Sequence, residues 1–596
     1  MSSIAQNDPG KIVLLMGNEA IARGALEAGV KVCAAYPGNP SSEIIGTLAK
    51  VAHEFGLHVE WSVNEKVALE VAAAASFAGL RGLCAMKQNG LNVASDFLLN
   101  LNLTGCGGGL VLVVADDPAG VSSSNEEDSR IFAKLSDLPL LEPTNFQEAK
   151  EMTKLAFEIS EQVGLPVLLR SVTRISHARG NVCLDELPQS EPKPRFETSQ
   201  PRLAFPPMPN HKVLHEKLSR VKQMFEESSF NFYRGPENPQ LMVVTSGSGW
   251  MYSLEAIINL NVQERVGILK LGTTWPLPES FILKHLKGTN QILFVEEVDP
   301  FLENNVKEIY AQNCLEIGLK AFYGKASKNI PEIGELNPEI VTHAIQSLVN
   351  VSYEPRPADY ARRVHEIASE LVPPRALGFC AGCPHRATYW AVKMALTLDG
   401  RDGFVLGDIG CYSLGMGPSG FGQMKTLHAM GSGAGLACGF GQLNRFGLEQ
   451  PAIAVCGDST FYHAAIPALV NARYNGANFL LLLLDNSATA MTGFQPHPGT
   501  GLTATGGEAP VIDLKAICEA LGARVVVVDP FDMATTVETI LRLLQDEKGV
   551  KALILKCPGL MWDKAVGKAR IDEAICTGCG FCSEICPASA IRREAA

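Results

Sequence analysis

Five apolar runs, KIVLLMG, KVCAAYPG, LCAMKQNG, GLVLVVADD and LPVLLRS, punctuate residues 11–180, separated by stretches of helical periodicity. Short apolar runs bounded by glycine, proline and polar residues predict buried strands, and their alternation with helices predicts an α/β domain. After the first run GNEAIARGALEAG reads as a helix start. YPGNPSSEI (36–44) reads as a turn whose Ser41 or Ser42 caps the next helix through its hydroxyl. MKQNGLNVASD (86–96) and ADDPAGVSSSNEEDSR (115–130), at strand ends, predict loops of the kind that carry binding groups. Taken alone, Ser122, Ser123 and Ser124 imply no more than a solvated loop.

The pattern then breaks twice. Residues 187–212 are rich in proline, which removes donors and favours extended backbone, so a linker is expected there. From 213 to 353 the runs LMVVTSGSG, VGILKLG and QILFVEEVD predict a second, smaller α/β domain. Its TSGSGW (245–250) lacks the G-x-G-x-x-G spacing and reads as a strand-to-helix turn. A second linker at 354–377 leads to a third α/β domain at 378–567 and a short tail at 568–596. The first domain would then occupy residues 1–186.

A chain of 596 residues is too long for one core, and its 19% charged and 46% apolar residues describe a well-packed globular protein. The net charge of −12 argues against a nucleic-acid partner, which would require a basic footprint. No basic-then-apolar leader opens the sequence, and no uncharged run reaches about 18 residues, so a cytoplasmic protein without a membrane span is expected. Its 16 cysteines then read as thiols or metal ligands and not as disulfides.

The stretch AIAVCGDSTFYHAAIPALVNARYNGANFLLLLLDNSATAMTG (452–493) reads as strand, turn, helix, strand and loop, with Asp458 and Asn486 at the two strand ends. A parallel βαβ unit places both in the crevice outside the carboxyl ends of its strands, where α/β sheets bind ligands. A carboxylate, an amide oxygen and a diphosphate together suit Mg²⁺; the plainer reading is an aspartate capping the following helix. In WSVNEKVALEVAAAASFAG (61–79) Glu65 stands early on an alanine-rich helix, where it either complements the helix dipole or meets a polar partner. Cys380 and Cys383 in GFCAGCPHR fit a redox pair, half a zinc site or two ligands of an iron–sulfur cluster. CTGCGFCSEICP has the C-x₂-C-x₂-C-x₃-C-P spacing of bacterial ferredoxins, with Cys576, Cys579, Cys582 and Cys586 as ligands of a [4Fe–4S] cluster.

GDS at 457–459 with Asn486 resembles the GDG…N signature of thiamine diphosphate (TPP) enzymes. GNEAIARGALEAG, YPGNPSSE, NEKVALE, GDIGCYSLG, GDSTFYH and DNSATAMTGFQPHPGTG, in this order, resemble the large (alpha) subunits of indolepyruvate:ferredoxin oxidoreductase, within the 2-oxoacid:ferredoxin oxidoreductase superfamily. That resemblance implies a pyrimidine-binding domain, a transketolase C-terminal-like domain, a diphosphate domain and a ferredoxin-like tail. It implies Mg²⁺ held by Asp458, Asn486 and the carbonyl of Ala488. Glu65 would hydrogen-bond the aminopyrimidine ring and act in catalysis. Further TPP contacts fall on Tyr36, Pro37, Asn92, Cys411, Tyr412, Gly457, Ser459 and Thr489. An inner [4Fe–4S] cluster would lie on Cys380, Cys383, Cys411 and Cys557, making two clusters with the outer one of the tail.

The reaction implied is oxidative decarboxylation of a 2-oxo acid, indolepyruvate or another arylpyruvate, to acyl-CoA and CO₂, with electrons passing to ferredoxin or another acceptor. A small beta subunit would complete the enzyme, in a heteromer such as α2β2. A non-oxidative TPP decarboxylase would have no use for the tail cysteines, and a bare electron-transfer subunit would have none for Glu65 or Asp458. Three departures from the family pattern stand out: one cluster motif in the tail where two are usual, Asn39 where threonine is usual, and KQNGLN in place of KHVGLN. With one motif only, Cys586 is expected to turn back onto its own cluster, the alternatives being Cys557 or a partner's thiolate, and the acceptor is expected to dock over residues 570–596.

Overall fold

The run FLLLLLD shows why the sheets form. In the strand Phe479–Asp485 every residue is buried, as a strand covered on both faces requires. Leu481 and Leu483 pack with Ala454 and Cys456 on one side, while Leu480, Leu482 and Leu484 pack with Ile453 and Val455 on the other. Burying each such leucine contributes about 1.5–3 kcal/mol, so a single register is strongly favoured. The sequence demanded two covered faces, and the fold supplies them.

The structure is a computed structural model that describes residues 3–188, 192–354, 356–372, 377–546, 548–558, 571–572, 574–580 and 582–583. The chain falls into two units, residues 1–363 and 364–596. Among the described residues no helix is long and apolar enough to cross a membrane.

The first unit contains two main sheets. One has seven strands in the order Thr273–Trp275, Leu140–Leu141, Val167–Val172, Leu110–Asp116, Gly82–Lys87, Val32–Ala35 and His58–Trp61. All pair in parallel except the first, which joins the edge antiparallel. The predicted first run does not enter this sheet: Ile12–Met16 pairs antiparallel with Arg179–Cys183 in a two-stranded ribbon. The second sheet orders Ala321–Tyr323, Gln291–Val295, Leu241–Thr245, Val266–Lys270 and Phe232–Arg234. TSGSGW is the expected turn, with the helix Ser248–Asn259 starting directly after Gly247 at φ 53°.

Buried ion pairs join the two sheets. Arg130, fully buried, bonds Asp128 beside it and reaches Glu296 at 2.8 Å and the Glu297 carbonyl at 2.8 Å, just past the strand Gln291–Val295. Arg170 holds Asp116 at 2.6 Å within the first sheet and bonds Glu142 as well.

Three local expectations are corrected. Residues 88–96 are the start of the helix Gln88–Thr104 and not a loop, because Leu91, Ala94, Leu98 and Leu101 recur at helical spacing and bury one face. Ser41 and Ser42 do not cap the helix Ser42–Phe55: the Ser41 hydroxyl donates to the Gly38 carbonyl, and the Ser42 hydroxyl accepts from the Gly38 amide. The stretches read as linkers contain helix. Pro207–Glu226 starts inside the first, where a proline at the opening position needs no donor, and Ala358–Leu371 lies inside the second.

The second unit is built on six parallel strands in the order Met424–Thr426, Phe404–Leu406, Ala452–Gly457, Phe479–Asp485, Val550–Lys556 and Arg524–Val528. Their carboxyl ends share one edge.

Candidate active site

In the second unit, polar residues follow each of the central strands. Asp408 comes two residues after Leu406, Asp458 directly after Gly457, and Asp485 with Asn486 at the end of FLLLLL. All four are buried. Asp458 opens a short helical turn, taking the Ser459 amide on Oδ1 at 2.8 Å and facing His497 Nε2 from Oδ2 at 3.1 Å. The Thr489 hydroxyl donates to the Ser459 hydroxyl at 2.9 Å, which ties the loop after Asn486 to the turn after Gly457. Ser487 takes φ 59° in that loop, and the next residue, Ala488, is buried.

Tyr412 closes the crevice. Its hydroxyl bonds Asp408, the Ile409 carbonyl at 2.9 Å and Thr460 Oγ1 at 3.1 Å. Its ring also explains Gly457, because a β-carbon there would stand 2.8 Å from the tyrosine ring. Burial pushes the Asp408 carboxyl up to about 7, against hydrogen bonds from Tyr412 and the Gly433 amide that hold it down. Asp485 is also raised, first by burial and then by the charge of Asp458. Burial drives His385 down to about 4, so a neutral imidazole stands within the field of Asp458.

The same edge gathers cysteines. Cys383 is the residue before the helix Pro384–Asp399, and the amides of His385 and Arg386 donate to its sulfur. Its thiol feels Cys380 and Cys557. Cys411, at the start of the turn Cys411–Met416, feels Cys383 and Cys380 and is pushed up to about 12 by burial. Cys557 follows the strand Val550–Lys556, its amide bonded to the Asp485 carbonyl at 3.0 Å. Thiols from distant parts of the sequence thus lie within electrostatic reach of one another, Cys411 also within reach of Asp458. In the tail, Gly578 at φ 67° and Gly580 at φ 77° make the turn that carries Cys576, Cys579 and Cys582, with the Gly578 amide on the Cys576 sulfur at 3.4 Å. Cys586 lies outside the described residues.

In the first unit, Glu65 is the first residue of the helix Glu65–Phe77 and is buried behind Asn64, whose side chain accepts from the Val67 amide at 2.9 Å. Gly90 packs against it. A β-carbon at that position would meet Glu65 Cγ at 2.6 Å and Oε1 at 2.8 Å, so the carboxylate fills the space that glycine leaves. Lys87, half-buried and lowered to about 8 by desolvation, feels Asp117 and Glu65. Its methylenes pack against Gly38, beyond the buried Tyr36 and Pro37. Asn92 is elsewhere on its helix, exposed and donating to Glu127 at 2.9 Å. Two of the unusual residues, Asn39 and Gln88, follow adjacent strands and hold buried amide atoms with no hydrogen-bond partner among the described residues. Such atoms cost about 1–3 kcal/mol each unless a ligand meets them.

Sequence reasoning missed Asp408, Asp485, His385, His497 and Lys87. Asp408 was legible by the same rule that found Asp458, a polar residue just past an apolar run; His385 opens a helix and His497 arrives on a loop, and neither carries such a signal.

Residues 23–231 match the family described as "Pyruvate flavodoxin/ferredoxin oxidoreductase, thiamine diP-bdg". Residues 408–554 match "Thiamine pyrophosphate enzyme, C-terminal TPP binding domain", and residues 569–592 match "4Fe-4S binding domain". "Indolepyruvate oxidoreductase subunit IorA" of Pyrococcus horikoshii is 38% identical over 98% of this chain and 97% of its own. The protein of the same name from Methanothermobacter thermautotrophicus is 39% identical over 98% of each chain. Among solved structures, a 2-oxoglutarate:ferredoxin oxidoreductase from Magnetococcus marinus overlaps 57% of this chain and 65% of that one at 16% identity, with a TM-score of 0.45.

The raised Asp408 has a pH signature. Its folded value of about 7 lies above its ordinary 3.8, so the stability it contributes is complete at low pH and is lost as pH rises through about 7. Replacing it with a neutral isostere removes that loss. Unfolding temperatures of wild type and Asp408→Asn, measured from pH 5 to 8, are expected to diverge with rising pH in favour of the variant. Parallel curves would show that Asp408 is ionised throughout.

Proposed function

Since the chain belongs to the family of indolepyruvate oxidoreductase IorA subunits, we propose that it is the large catalytic subunit of a TPP-dependent 2-oxoacid:ferredoxin oxidoreductase that oxidises an arylpyruvate. Its products are acyl-CoA and CO₂, and its electrons leave through iron–sulfur clusters. The observation that carries this reading is that these thiols lie within electrostatic reach of one another, with Cys411 also within reach of Asp458. A plain decarboxylase has no use for them.

The residues fit the groups they would hold. Asp458 and Asp485, buried at the ends of adjacent strands, with burial and then the charge of Asp458 raising Asp485, form an anionic pocket that a cation relieves. Asp458, Asn486 and the Ala488 carbonyl are the hard oxygen donors that Mg²⁺ takes beside a diphosphate. Ser459, Thr489, Gly457, Cys411 and Tyr412 shape the remainder of that pocket. Cys380, Cys383, Cys411 and Cys557 would hold the inner cluster, with the helix-start amides at Cys383 stabilising a thiolate. Cys576, Cys579 and Cys582, with Cys586 as the fourth, would hold the outer one. TPP supplies the electron sink for breaking the bond between the carboxylate and the 2-oxo carbon.

Glu65 has one task, to hold a proton against the aminopyrimidine nitrogen, and the space left by Gly90 fixes its carboxylate for that. Tyr36 and Pro37 would line the ring's other side. Lys87, weakly basic and half-buried, is suited to meet the substrate carboxylate, with the amides of Asn39 and Gln88 open to its other polar atoms. A small beta subunit and a ferredoxin-type acceptor would complete the system, in a heteromer such as α2β2.

The test is an anaerobic preparation with the beta subunit, assayed for CoA-dependent oxidation of indolepyruvate with ferredoxin reduction; CO₂ release without reduction of any acceptor would overturn the oxidative reading. Asp458→Ala is expected to weaken TPP binding by about 100-fold or more in calorimetry, with a melting temperature of the free protein no lower than that of wild type. Glu65→Gln should retain TPP and lose about 10²–10⁴-fold in kcat, the scale of a lost proton-transfer group; near wild-type turnover would return Glu65 to a helix-end carboxylate. Iron content should drop from about eight to about four per chain in Cys383→Ser, as two four-iron clusters require, and four irons in both proteins would mean that the inner cluster is absent.

A further inference from the structure

Outside these residues, three potential metal ligands converge in the first unit. His211 and His215 stand four apart on the helix Pro207–Glu226, a spacing that sets both rings on one face. Asp137 ends the helix Arg130–Ser136 with φ 52°. Their ligand atoms form a triangle: the two Nε2 atoms are 2.9 Å apart, and Asp137 Oδ2 lies 3.3 Å from His215 Nε2 and 3.7 Å from His211 Nε2. All three atoms lie within 4.8 Å of one another.

Hydrogen bonding alone accounts for this poorly. Each neutral imidazole carries a single N–H, and in a pair joined through Nε2 one ring donates and the other accepts. If His215 accepts from His211, it has no proton left for Asp137. If it donates, one N–H must serve both partners. Two protonated rings would repel across 2.9 Å. A cation removes the conflict, because both Nε2 atoms and the carboxylate oxygen then offer lone pairs to one centre. Ligands about 2.0–2.2 Å from a tetrahedral ion stand roughly 3.3–3.6 Å apart, and the observed sides of 2.9, 3.3 and 3.7 Å bracket that spacing.

We propose that Asp137, His211 and His215 form a binding site for one divalent transition-metal ion of the Zn²⁺ class, with a fourth position open to water. Two imidazoles and a carboxylate suit a borderline ion and disfavour Mg²⁺ or Ca²⁺, which take oxygen ligands. Both histidines are well exposed, at 58% and 60% of their side-chain surface, so the ion has an entry path. The site clips the first turns of a helix that emerges from the proline-rich stretch to the turn after Arg130–Ser136. Further along, that helix is held by Lys217, which donates to the Gly164 carbonyl at 3.0 Å.

The experiment uses cluster-loaded holoenzyme, so that the cysteine sites are filled, titrated with Zn²⁺ after washing with chelator. Wild type is expected to bind one Zn²⁺ more than His211→Ala/His215→Ala, and Asp137→Asn to weaken that site about tenfold or more. Zinc should raise the melting temperature of wild type, reversibly with chelator, and leave that of the double variant unmoved. Turnover should be the same in all three proteins, since none of these side chains belongs to the catalytic machinery. Should the double variant fold poorly, His211→Gln serves in its place. Equal zinc stoichiometry and affinity in wild type and variants would overturn the site and leave a hydrogen-bonded surface trio.

Discussion

Burial of like charge at the carboxyl edge of one parallel sheet is the constraint on which the second unit depends. Asp408, Asp458 and Asp485 stand at or just past the ends of neighbouring strands, because a strand covered on both faces favours apolar residues along its length. Each is handled differently. Asp408 is pushed up to about 7 and held by Tyr412 and the Gly433 amide, Asp485 takes Lys556 at 3.4 Å, and Asp458 has the His497 ring and the Ser459 amide. None of these partners removes the repulsion between Asp458 and Asp485. A bound cation would do so, which makes the anionic pocket and the proposed metal role one statement about electrostatics.

In the first unit the problem is reversed. There the fold stabilises single buried ions by giving each several partners, as Arg130 and Arg170 show with four carboxylates between them. Removing one partner from such a network costs roughly 3–5 kcal/mol, because the others are left uncompensated. Glu65 sits outside that network, in space created by the absence of a side chain at Gly90.

How much of this was legible in the sequence follows from the reach of each signal. Period and punctuation located Gly82–Lys87, Leu110–Asp116 and Val167–Val172, because long apolar runs have few other uses. They missed His58–Trp61, whose exposed and half-buried positions lack such a run, and the two-residue strand Leu140–Leu141. The crossing of Thr273–Trp275 from the second α/β segment into the first sheet is a tertiary event that no local pattern encodes. The helix at Gln88 was hidden because small polar residues open it, and its apolar stripe declares itself only from Leu91 onward. Asp458 and Asn486 were legible since a strand end fixes a side chain's position, while His497 reaches Asp458 from 39 residues further along the chain.

The cysteines carry the argument one step further. A buried thiol keeps its proton, as Cys411 at about 12 and the raised Cys383 do. Metal ligation takes the thiolate, so assembling a cluster on these residues must release protons that burial has made hard to lose. The fold lowers that cost at Cys383, where two helix-start amides point at the sulfur. The exposed Cys380 lies three residues before it, its carbonyl accepting from the Cys383 amide at 3.1 Å. On the proposed assignment, ligation would begin most readily on the C-x-x-C pair, with Cys411 and Cys557 following once iron supplied positive charge.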